Sequence, residues 1–101
     1  VTVSEESGIT IDNPSRLNVC HILPKSYFPS AEAILDNYMY LTGDEHTRID
    51  ILIFANRWKD IEKEFPKTWQ LILLRLKKVI PLVKENHILL RNLKDYLEWK
   101  T

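Results

Sequence analysis

A chain of 101 residues is the size of one small domain, and 45% hydrophobic with 28% charged residues is an ordinary globular composition. Its 14 basic and 14 acidic residues cancel to a formal net charge of zero, which argues against a strong nonspecific nucleic-acid binder and leaves only contact through a local patch. No run approaches the ~20 apolar residues of a membrane span, the polar N-terminus has no signal-peptide pattern, and a single cysteine excludes an internal disulfide, in keeping with a reducing cytoplasm.

Since the chain does not start with Met, it is expected to be a processed or excised piece of a longer protein. Gly8-Ile9-Thr10-Ile11 and Leu17-Asn18-Val19-Cys20-His21 alternate apolar and polar residues as half-buried strands do. Asp12-Asn13-Pro14-Ser15 between them is turn chemistry. Ser30 to Leu35 is expected to form a short helical turn within a longer loop, and Tyr38-Met39-Tyr40-Leu41 a further strand. Thr42-Gly43-Asp44-Glu45 is a capping box, so a helix should start at Gly43 and run through Ile49, Leu52 and Ile53. Helix continues from Asn56 to Phe65, joined or after a bend. Pro66 suits the first turn of the next helix, where Trp69, Ile72, Leu73, Leu76, Val79 and Ile80 recur at helical spacing until Pro81 kinks or ends it. A last helix, about 84–98, carries Leu89, Leu93, Tyr96 and Leu97 on one side. Trp58, Trp69 and Trp99 read as packing residues and His87 as an exposed helix residue.

Three residues sit at junctions of this pattern: His21 at a strand end, Asn37 before the next strand, and His46 in the first turn of the capped helix. Asp50 follows His46 by four positions, on the same helix face, and such a pair can hold one divalent cation. Phosphodiester hydrolysis needs a neutral base for the attacking water and a cation against the phosphate and the leaving oxygen. His21 fits the base and His46 with Asp50 the cation site, while Asn37 would pin the loop between the strands.

The stretches Asn18-Val-Cys-His-Ile-Leu-Pro-Lys-Ser26, Asn37 and Glu45-His46-Thr-Arg-Ile-Asp50 resemble the HNH nuclease motif in its phage and bacterial versions. The likeness covers about residues 8–56, including the nine-position step from Asn37 to His46. It implies an α+β fold in which a ββα-metal core is followed by a helical extension over 57–101, the whole forming one domain. It also implies a cytoplasmic metal-dependent endonuclease acting on DNA, with His21 as general base, Asn37 structural and His46 a metal ligand. Asp50 stands where some members have a further ligand histidine. Cys20 departs from the family, which often has Asp or His at that place. A thiolate suits Zn²⁺ and is a poor ligand for Mg²⁺, so Cys20 is either a ligand or a core residue. The expected cofactor is one divalent ion, Mg²⁺ or Mn²⁺ first, with Zn²⁺ or Ni²⁺ as alternatives. The CxxC pairs that clamp many family members are absent, so packing by the C-terminal helices must hold the scaffold.

Lys25, Ser26, Arg48 and Arg57 are candidates for contact with the nucleic-acid backbone. Solvated loop or intrahelical salt bridges are the plain readings of the same residues. Arg75, Lys77, Lys78 and Lys84 read as a solvated helix face before a DNA strip. The apolar density of 69–83 exceeds one amphipathic face, which points to a homodimer or a larger phage or host assembly through the C-terminal helices. Two other readings stand beside the nuclease: an HNH scaffold without catalysis that docks on DNA or in an assembly, and a helical interaction domain without the hairpin.

Overall fold

Two small antiparallel sheets and four helices make up residues 2–100, the span described in the computed structural model, with side chains described for residues 2–98. The first sheet pairs β1 (Thr2–Val3) with β2 (Thr10–Ile11), and Gly8, at φ 74°, makes the left-handed step between them. The second pairs β3 (Val19–His21) with β4 (Tyr38–Tyr40), setting Cys20 opposite Met39 and His21 opposite Tyr38.

The alternation of Leu17-Asn18-Val19-Cys20-His21 therefore overstates the strand at its start. Arg16–Asn18 is a 3-10 turn in which the Ser15 side chain accepts from Leu17 N–H and the Asn18 side chain accepts from Ser15 N–H. Such local side-chain bonds offer the backbone an alternative to a ladder and win here. Between β3 and β4 the expected helical turn is split in two, Pro29–Ala31 and Leu35–Asn37.

Helix α1 (Gly43–Phe54) begins where the capping box places it. Thr42 Oγ1 accepts from Glu45 N–H at 3.3 Å, and Glu45 Oε1 accepts from Thr42 N–H at 2.8 Å. The same Glu45 oxygen accepts from the Ser4 hydroxyl at 2.6 Å, which ties the N-terminal segment to the helix. Burial pushes the Glu45 carboxyl up, but the bonds from Ser4 and Thr42 outweigh it and hold it below the usual carboxylate range. Thr42→Ala is expected to cost about 1 kcal/mol, seen as a fall of about 4–8 °C in the thermal midpoint. An unchanged midpoint would mean that Glu45 and Ser4 hold this helix start without the threonine.

Asn56 takes φ 59°, so the helical run breaks before α2 (Trp58–Glu64). Pro66 opens α3 (Pro66–Val79), and the chain tightens into a 3-10 turn at Ile80–Leu82 around Pro81. Helix α4 (Ile88–Lys100) starts later than the sequence pattern indicates. His87 precedes it and is half-buried, not an exposed helix residue: its ring stacks on Tyr27 at 4.0 Å and its Nδ1 accepts from Leu89 N–H. The side chain of Trp99 lies outside the described residues.

One continuous core joins both halves of the chain. Cys20, Leu23, Phe28 and Met39 from the hairpin region meet Ile49, Leu52 and Ile53 of α1, Trp58 of α2, Trp69, Ile72, Leu76 and Val79 of α3, and Leu89 and Leu93 of α4. The C-terminal helices thus share one core with the hairpin region. Arg75 of α3 is not part of a basic strip. Its guanidinium binds both Glu5 carboxylate oxygens and the Tyr38 carbonyl, bolting α3 to β4. Lys77, Lys78 and Lys84 are exposed, as are the apolar side chains of Leu74 and Leu82. Among the described residues no helix is long and apolar enough to cross a membrane.

Candidate metal centre and cleft

Helix α1 sets His46, Asp50 and Phe54 four positions apart, and all three line one cleft. His46 Nε2 lies 3.0 Å from Asp50 Oδ2. The other nitrogen, Nδ1, lies 2.7 Å from the Leu17 carbonyl oxygen, which requires Nδ1 to carry a proton and donate it. Nε2 is thereby left facing a carboxylate oxygen. Two acceptors at that distance repel unless a proton or a metal cation sits between them.

The third member comes from β3. Cys20 is fully buried, and its thiol donates to Asp50 Oδ1 at 3.4 Å. Burial pushes the thiol well up from its usual range, and the Asp50 carboxylate adds to the effect. The alternatives for Cys20 collapse into one position, because it is a core residue on one side and reaches the acidic group on the other. The donor atoms of Cys20, His46 and Asp50 lie within 4.8 Å of one another.

His21 ends β3 beside this group. It is half-buried, its ring meets that of Tyr38 edge-on at 4.8 Å, and its ring nitrogens form no hydrogen bond among the described residues. Burial lowers its pKa first, and Lys25 lowers it further, against an opposing pull from Asp50. Burial and Lys25 thus both favour the uncharged imidazole. The histidine of the site that bonds a backbone carbonyl is His46, not His21.

Asn37 is wholly buried and does not touch the His21 ring. Its Oδ1 accepts from Leu23 N–H at 2.9 Å, and its Nδ2 donates to the carbonyls of Leu23 at 3.0 Å and Ala31 at 3.4 Å. Its own carbonyl accepts from Ile22 N–H at 2.8 Å, which continues the β3–β4 ladder. Asn37 thus closes the 22–37 loop on itself and sets where His21 can sit.

The cleft has a volume of about 700 Å³ and gathers His21, Lys25, Ser26, His46 and Asp50. Arg48 and Arg57 are not brought to it. Arg48 makes a two-pronged bond to Glu64 at 2.9 and 2.8 Å, and Arg57 binds Asp60 at 2.6 Å. Arg16, Glu32, Tyr38 and Phe54 line the cleft without having been singled out in the sequence. Phe54 was findable, since it extends the four-residue step of His46 and Asp50. Arg16 was not, because its place depends on the 3-10 turn that precedes β3.

Comparison of the chain with protein-family models, curated proteins and solved structures gives no match.

The chemistry of the cluster must speak for itself. A thiol sulfur, an imidazole nitrogen and a carboxylate oxygen form a mixed set that suits a divalent transition ion. The Leu17 carbonyl already orients the imidazole, as outer partners of metal-bound histidines do. These three residues could hold a metal ion.

Proposed function

We propose that this chain is a metal-dependent HNH-type nuclease that hydrolyses phosphodiester bonds in DNA. The reading is carried by one observation: a single cleft holds His21, whose ring nitrogens form no hydrogen bond among the described residues, together with His46 and Asp50, which meet the buried Cys20 beneath it. The chain order of β3, loop, β4 and α1, with Asn37 locking the loop, supports a ββα-metal core. In this reading His21 takes the proton from the attacking water. Cys20, His46 and Asp50 hold a divalent ion, which when bound supplies positive charge against the phosphate and the leaving 3′-oxygen. Arg16 and Lys25, which form no ion pair among the described residues, stand at the cleft to receive neighbouring phosphates, and Ser26 adds a hydroxyl donor. Arg48 and Arg57 contribute only if DNA displaces their carboxylate partners.

Supercoiled plasmid, incubated with the protein and Mg²⁺, Mn²⁺, Ni²⁺ or Zn²⁺, should be nicked with at least one of these ions and left intact in excess chelator. His46→Ala should lose the reaction, since it removes a ligand from a half-buried position on α1 outside the buried core. Nicking that persists in chelator rules the reading out. Intact plasmid under every ion, with the protein folded, favours a docking module on the same scaffold.

A further inference from the structure

The ion class of the cluster follows from its donors. We propose that the Cys20–His46–Asp50 site is built for a thiophilic divalent ion, zinc above all, and discriminates against magnesium; the inference rests on the reading above that the cluster holds an ion. Mg²⁺ demands near-octahedral oxygen ligands and sheds water reluctantly. Only one of the three donors here is oxygen. A fully buried sulfur lies on the cluster's inner side, where water ligands would otherwise complete a magnesium shell.

Zinc accepts sulfur, nitrogen and oxygen together, and three protein ligands with an open fourth position is its usual catalytic arrangement. The open side here is the cleft, where His21 stands. Charge also balances. As the ion enters, the S–H bond of Cys20 breaks, its proton leaves to solvent, and the sulfur bonds to the ion. Any proton between His46 Nε2 and Asp50 leaves to solvent as well, so that two positive charges meet one thiolate, one carboxylate and an imidazole nitrogen that carries no charge. A neutral assembly is cheap to hold at the edge of a core, where an unbalanced one is not.

The test uses the whole chain stripped of metal and titrated with Zn²⁺, Mg²⁺ and Co²⁺ separately. Zn²⁺ should bind at least about tenfold more tightly than Mg²⁺ by calorimetry. Co²⁺ should develop a thiolate-to-cobalt charge-transfer band in the near ultraviolet, a readout independent of any activity. Cys20→Ser should lose that band. Because position 20 is buried, Asp50→Asn is the paired variant: it should weaken Zn²⁺ binding yet retain the cobalt–thiolate band. Equal affinity for the two ions, or bound cobalt without the band in the wild type, overturns the inference. Plasmid nicking sustained by Mg²⁺ alongside such a result would leave the nuclease reading standing and remove only the zinc assignment. Failure to bind any of the ions would remove both.

Discussion

Replacing His21 by alanine should lower the rate of plasmid nicking by about 10²–10⁴-fold, the usual contribution of a positioned general base. The size of the effect follows from what stands in the cleft. His21 is half-buried, with its pKa lowered by burial and by Lys25, and its ring forms no hydrogen bond among the described residues, so none of them competes with water for its nitrogens. The other histidine of the site cannot substitute, because the Leu17 carbonyl and Asp50 occupy both its nitrogens. The variant should remain folded. His21 lies outside the buried cluster and its main contact is the edge of Tyr38, which β4 holds independently. Metal affinity should therefore stay within a few-fold of wild type, which separates loss of the base from loss of the ion. Equal nicking by the variant and the wild type would remove His21 from the mechanism.

The second large effect falls on stability. Asn37→Ala should destabilise the fold by roughly 2–5 kcal/mol, measured by denaturant unfolding. Alanine removes the acceptor of Leu23 N–H and the donor to the carbonyls of Leu23 and Ala31, and both of those residues are fully buried. Each buried backbone group left without a partner costs about 1–3 kcal/mol. Against a total of about 5–15 kcal/mol for a domain of this kind, the loss is severe. Asn37→Asp makes a sharper companion. It keeps the acceptor for Leu23 N–H but sets a carboxylate oxygen against two carbonyls, a contact that only the protonated acid satisfies. The folded state of that variant would bind a proton more readily than the unfolded chain, so its stability should rise as pH falls and drop as pH rises through the folded-state pKa. A loss below about 1 kcal/mol for Asn37→Ala would mean that water replaces the amide in the loop.

Much of the local structure was legible because its causes lie within a few residues. The start of α1 is written in Thr42 and Glu45, and the start and end of α3 in Pro66 and Pro81. The core faces of the helices follow from apolar spacing, and Ile49, Leu52, Ile72, Leu76 and Leu93 are buried accordingly. His46 and Asp50 share a helix face for the same reason. Where local rules competed, periodicity was the weaker guide. The bonds between Ser15 and Asn18 shorten the strand before Val19, and the left-handed step at Asn56 divides one helical run into two.

What the sequence by itself determined is therefore the order of elements, the helix starts, the apolar faces and the residue types able to base, ligate or lock. Tertiary structure decided which of them meet. Cys20 and Asp50 are 30 positions apart, and only the packing of β3 against α1 puts a thiol on a carboxylate. The orientation of His46 rests on the backbone carbonyl of Leu17, a group every residue possesses and no side-chain pattern can mark. Arg48 and Arg57 are drawn away by Glu64 and Asp60, while Arg16 reaches the cleft through a turn. Short-range capping and periodicity act through neighbours along the chain, whereas a site of this kind is assembled from side chains whose directions are set only when β3, β4 and α1 share one core.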